Sequence, residues 1–70
     1  MLSNEELSDK MLFFRGTHGF TQEKFAHLVG ISPATINQIE TKKQKPTAIT
    51  KVKIIKFMEE FENDVETNNE

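Results

Sequence analysis

The chain has 70 residues, a formal net charge of −2 and no cysteine, which bounds it to one small domain and excludes both a disulfide framework and a thiolate zinc site. Its first residues, MLSNEEL, lack the basic start and apolar run of a signal peptide. No stretch approaches the ~20 apolar residues of a membrane span, so a cytoplasmic protein without membrane association is expected.

The segment Ser3-Asn4-Glu5-Glu6 has the form of a capping box, with Ser3 as N-cap and Glu6 reaching back. Leu7, Met11 and Phe14 follow at helical spacing, one face of a first helix. That helix is expected to stop near Gly16, before a Thr17-His18-Gly19 loop. Leu12 and Phe13 lie off the stripe and need another neighbour. Thr21 caps a second helix whose apolar residues are Phe25, Leu28 and Val29, and Gly30 ends it with a left-handed residue. Ser32 caps a third helix, and Pro33 suits its first turn. Ile36 and Ile39 are its inward positions. Pro46 disfavours helix at Lys45, so residues 42–46 form a polar connection. Thr47 then caps a fourth helix running to about Glu62. No segment alternates with strand period. The predicted fold is all-α, a compact bundle of four or five helices over residues 1–62, with an acidic, disordered tail at 63–70.

Charge is distributed unevenly along these elements. Six lysines and no acid lie between Lys42 and Lys56, and six acids and no base follow from Glu59 to the end. Without that acidic run, nine basic residues face five acidic ones, for a net charge of +4. Local basic patches, not the mean charge, make phosphate contacts. Blocks of like charge are also common as plain solvated surface.

Two helices cross closely only where a residue at the crossing is small, and Ala26 fills that position beside Phe25. Gly30 supplies the sharp turn, Ile31 plugs the base of the angle, and Ile36 and Ile39 fix the third helix to the second. In these residues the chain resembles the phage-repressor (Cro-like) class of helix-turn-helix DNA-binding proteins. The resemblance runs from about Met11 to Thr47 and is carried by Arg15, Gly19-Phe20-Thr21-Gln22, Phe25-Ala26, Gly30-Ile31-Ser32, Thr35-Ile36, Ile39-Glu40 and Lys45-Pro46. It implies a repressor-like bundle with its third helix in the major groove of double-stranded DNA. Lys42 stands where the family usually has glycine.

With Ile36 and Ile39 inward, Pro33, Ala34, Asn37, Gln38 and Thr41 face away from the core. Asn and Gln pair bidentately with adenine, and Ala packs on a thymine methyl. The resemblance places Ala34, Asn37 and Gln38 at base-reading positions; the plainer alternative is an amphipathic helix with exposed amides. Gln22, Ser32, Thr35, Lys42, Lys43 and Lys45 are the phosphate candidates, contacts that set register and affinity but not sequence. In the family the positions of Arg15 and Glu40 bridge the first helix to the third, and an Arg fork suits a carboxylate. The alternative is two unrelated surface charges. His18 and His27 lack ligand partners at metal spacing, so both are read as solvated and neither metal nor cofactor is expected.

On the fourth helix Ile49, Val52 and Ile55 form one apolar stripe, and Ile54, Phe57, Met58 and Phe61 form another. Two stripes suggest a core face and a partner face. The second stripe is taken as the partner face of a homodimer, which would read a near-palindromic operator. The alternative is a long helix wrapped by Leu12, Phe13 and the N-terminus. No nucleophile–base pairing and no phosphate-cradling glycine loop support an enzyme. The expected function is that of a transcriptional regulator, a repressor of a mobile element or small autoregulated operon. The alternative is an antitoxin or adaptor that binds a protein partner through the same scaffold.

Overall fold

The computed structural model describes residues 2–68. Four helices follow in order, α1 (Asn4–His18), α2 (Gln22–Val29), α3 (Pro33–Glu40) and α4 (Ala48–Asn68), with no strand among the described residues. The capping box forms at the start of α1, where the Ser3 hydroxyl accepts from the Glu6 amide at 3.1 Å and the Ser3 amide donates to Glu6 Oε1 at 2.8 Å. The Ser3 amide donating to its carboxylate is the main cause that holds the Glu6 carboxyl below its ordinary pKa. The helix buries Leu7, Ser8, Met11 and Phe14.

The end of α1 differs from the expected one. The helix continues through Gly16 to His18, and Gly19 is the left-handed residue that ends it, with φ 72°. The reason is aromatic. One turn beyond Phe14, His18 packs its tilted ring against it at 4.5 Å and meets Phe61 at 4.8 Å. His18 is therefore half-buried in a ring cluster, not solvated, whereas His27 is exposed. Leu12 and Phe13 find no covering neighbour: Phe13 is 75% exposed.

Helices α2 and α3 make the angle. The Thr21 hydroxyl caps α2 by accepting from the Lys24 amide at 3.0 Å. Gly30 turns the chain at φ 89°, and its amide donates to the Ala26 carbonyl at 2.8 Å. Ala26 is fully buried at the crossing beside Phe25. The Leu28 side chain faces outward, and Ile31 packs against the core from the turn.

At the exit of α3, Lys42 adopts φ 63°, the left-handed conformation that costs a residue with a Cβ about 1–2 kcal/mol. Its amide donates to Ile39 O at 3.1 Å and the Lys43 amide to Gln38 O at 2.9 Å, the two bonds of a Schellman cap. The backbone thus keeps the glycine conformation without the glycine. Lys42→Gly is expected to raise the unfolding free energy by about 1 kcal/mol, measured by urea denaturation; an unchanged or lowered value would contradict this account of the cap.

Helix α4 corrects the expected partner face. Ile54 and Met58 are 0% exposed, and Phe57 and Phe61 pack against the same core. Phe57 meets Phe25 at 5.7 Å and Phe14 at 6.0 Å, while Phe61 meets Phe14 and Phe20 at 5.5 Å each. The rings of α1 and α2 provide a receiving surface for aromatic side chains, so the stripe richer in them turns inward. Ile49 and Val52 are left 72% and 47% exposed, with Ile55 half-buried. The helix also runs past Glu62 to Asn68, where no proline or glycine stops it. Residues 63–68 of the expected acidic tail are thus helical, and Asn69 and Glu70 lie outside the described residues.

Candidate nucleic-acid interface

The surface of α3 is set by its two buried anchors. Ile36 and Ile39 are buried, and Pro33, Ala34, Asn37, Gln38 and Thr41 are all exposed on the outer side. The start of the helix is held by Ser32, whose hydroxyl accepts from the Thr35 amide at 3.1 Å and lies 2.8 Å from the Thr35 hydroxyl. Thr35 is half-buried. The Thr41 hydroxyl donates back to the Asn37 carbonyl at 2.8 Å, so it offers a ligand only lone pairs and a methyl group.

Beneath this face lies a charged connection between three helices. Arg15 Nε donates to Glu40 Oε2 and Arg15 Nη2 to Glu40 Oε1, both at 2.7 Å. Arg15 Nη1 donates to the Phe20 carbonyl at 3.0 Å. The Glu40 side chain is 2% exposed and the Arg15 side chain 18%. Hydrogen bonding to Glu40 pushes the Arg15 guanidinium above its ordinary pKa. Gln22 Nε2 also donates to Glu40 Oε1, at 3.0 Å, and Gln22 Oε1 accepts from Asn37 Nδ2 at 3.3 Å. A continuous chain of side chains therefore runs from the core edge to the exposed face: Arg15, Glu40, Gln22, Asn37.

A serine that sequence reasoning did not single out belongs to the same support. Ser8 is buried, and its hydroxyl approaches the Ile39 carbonyl at 2.6 Å and the Asn4 carbonyl at 3.1 Å. It ties α1 to the last turn of α3. Its signal was its place one residue after Leu7 on the inward side of α1, but a serine inside a helix commonly bonds its own preceding turn.

Lys42, Lys43 and Lys45 are exposed just beyond α3. Lys42 Nζ lies 3.3 Å from Asp9 Oδ1, with both side chains substantially exposed, a contact worth little in water. An open cleft lined by Thr35, Gln38, Lys45, Thr47 and Thr50 runs from the outer face of α3 to the capped start of α4. Thr47 accepts from the Thr50 amide there at 3.2 Å. Lys45 and the Gln38 amide thus line one cleft. Among the described residues no cluster of His, Asp or Glu could hold a metal ion, and no helix is long and apolar enough to cross a membrane.

A family model described as helix-turn-helix matches residues 14–60. That span takes in α2, α3, the Arg15–Glu40 pair and the three lysines at the exit. No curated protein and no solved structure matches the chain.

Proposed function

The chain belongs to the Cro/C1-type helix-turn-helix family, a class of DNA-binding transcription regulators, and from that premise we propose that it binds one specific double-stranded sequence through α3 in the major groove and represses a mobile element or a small autoregulated operon. The observation that carries this reading is the outer face of α3. It offers Pro33, Ala34, Asn37 and Gln38 to a ligand, while its inner face is anchored by two fully packed isoleucines and a buried ion pair. Such a face holds its side chains in register for base edges. Thr41 contributes apolar contact and an acceptor at the end of the row. Gln22, Ser32, Thr35, Lys42, Lys43 and Lys45 flank the face and supply phosphate contacts. Gln22 has one amide hydrogen left for this after its bond to Glu40.

A helix of eight residues reads only a few base pairs, so a second copy of the chain is part of the proposal. The exposed stripe of Ile49 and Val52 is the side of α4 that the monomer leaves open for it. Two copies would place their reading helices about 34 Å apart, one turn of DNA. Selection of bound duplexes from a random pool tests the reading: two inverted half-sites are expected, and a pool that enriches nothing would end it. A protein-interaction role, as antitoxin or adaptor, is favoured by one observation, the exposed ring of Phe13. Co-purification of a stoichiometric unrelated protein, with no shift of DNA, would support that role instead.

Two substitutions separate the kinds of contact. Gln38→Ala is expected to weaken binding to the selected site by about 1–3 kcal/mol while leaving binding to random DNA nearly unchanged. Lys43→Ala is expected to weaken both equally and to lower the slope of log affinity against log salt by about 1. Anisotropy titrations over a salt series measure both. A Gln38→Ala protein that binds the selected site as tightly as the parent would remove Gln38 from the reading face.

A further inference from the structure

We propose that the buried Glu40 carboxylate dictates, through Gln22, which base Asn37 accepts, and that the base is adenine and not guanine. The proposal rests on the reading of α3 as the DNA-contacting helix and adds the mechanism of one base choice.

Both oxygens of Glu40 are engaged by Arg15, and Oε1 also receives the Gln22 amide. A carboxylate can only accept, so Gln22 must turn its NH2 group toward Glu40. Its carbonyl oxygen then points the other way, toward Asn37, and can only accept in turn. Asn37 answers with Nδ2, at 3.3 Å. An amide drawn with either of these two side chains flipped would set acceptor against acceptor or donor against donor. The fixed charge of one residue therefore sets the polarity of two neutral ones.

The consequence lies in what Asn37 has left. Its side chain starts with two N–H donors and one carbonyl acceptor. One donor is spent on Gln22. The exposed remainder is one N–H and one C=O. Adenine offers the major groove one acceptor, N7, and one donor, the N6 amino group, and matches that remainder. Guanine offers two acceptors, N7 and O6. Asn37 could satisfy both only with two N–H groups, and one of them is held by Gln22. The carbonyl of Asn37 would also face O6, acceptor against acceptor. Gln22 and Glu40 are thus positioning residues for a base that neither touches.

The test compares sequences enriched from a random duplex pool by the parent, by Asn37→Ala and by Gln22→Met, each first checked for a cooperative thermal transition. The parent is expected to show one position per half-site at which adenine exceeds guanine by about tenfold or more, the range of one bidentate contact. Asn37→Ala should erase the preference at that position alone. Gln22→Met keeps the length of the side chain and frees the second N–H of Asn37, which can then reach a second acceptor on guanine, so the adenine-to-guanine ratio there should fall several-fold, the other positions being retained. A merely structural role for Gln22 would weaken every position together and would not lower the adenine-to-guanine ratio at one of them alone. Adenine preference unchanged in Gln22→Met overturns the proposal, as does a preference that survives Asn37→Ala. A parent that enriches no sequence contradicts the DNA-reading function itself, and the base choice with it.

Discussion

Arg15→Ala is expected to lower the unfolding free energy by about 3–5 kcal/mol, and Glu40→Ala by less. A domain of 70 residues has roughly 4–10 kcal/mol of stability in total, so the first variant would lose from about a third to all of it. The asymmetry follows from where the two charges sit. Without Arg15, Glu40 keeps a 2% exposed carboxylate with only the Gln22 amide as a partner. Without Glu40, Arg15 is 18% exposed, still donates to the Phe20 carbonyl, and can turn toward water on its flexible stem. Urea denaturation followed by helical circular dichroism measures both. Losses below about 1 kcal/mol for the two variants would mean that the pair behaves as a surface contact. The double variant Arg15→Met with Glu40→Leu should recover much of the stability, because apolar replacement of a buried pair is often neutral or better. It would still lack the acceptor that orients Gln22, so folding and base choice can be separated.

The second large effect lies on α4. Ile54→Ala should cost about 2–5 kcal/mol, since it empties a fully buried site among packed side chains. Ile49→Ala, five residues earlier in the same helix and 72% exposed, should change stability by no more than about 0.5 kcal/mol. The pair distinguishes the two apolar stripes in a monomer. Equal losses at the two positions, measured at protein concentrations where the chain is monomeric, would mean that the helix is rotated from the orientation described.

Much of the motif was legible because its signals are local. Ser3, Thr21, Ser32 and Thr47 are residues whose side chains cap the amides that follow, and each does so. Ala26 and Gly30 were readable for the same kind of reason, since a close crossing needs a small side chain and a left-handed turn needs no Cβ. Lys42 was harder. The left-handed conformation there is imposed by the carbonyls of Gln38 and Ile39 at the end of α3, and the residue adopts it in spite of its side chain. Two glycines, Gly16 and Gly19, can each end α1, and only tertiary contact chooses between them. His18 packing on Phe14 and Phe61 makes that choice. The rotation of α4 is also decided by tertiary contact. Both of its stripes are apolar, and the decision rests with Phe14, Phe20 and Phe25, which lie up to 47 residues earlier in the chain.

The site shows the same division. Periodicity alone turns Pro33, Ala34, Asn37, Gln38 and Thr41 outward once Ile36 and Ile39 are inward, and the structure has them exposed. The link from Glu40 through Gln22 to Asn37 spans 18 and 15 residues and depends on side-chain torsions that no spacing rule describes. Ser8 is a similar case, because its partner carbonyl at Ile39 is 31 residues away.

The proposed function requires that α3 read base sequence in double-stranded DNA. Competition titration at about 150 mM salt, with the selected duplex set against a scrambled duplex of the same length and composition, tests it most directly. The selected duplex should bind about a thousandfold or more tighter than the scrambled one, and Gln38→Ala should remove a large part of that ratio without weakening the scrambled complex. Equal affinity for the two duplexes would mean that α3 reads no base sequence.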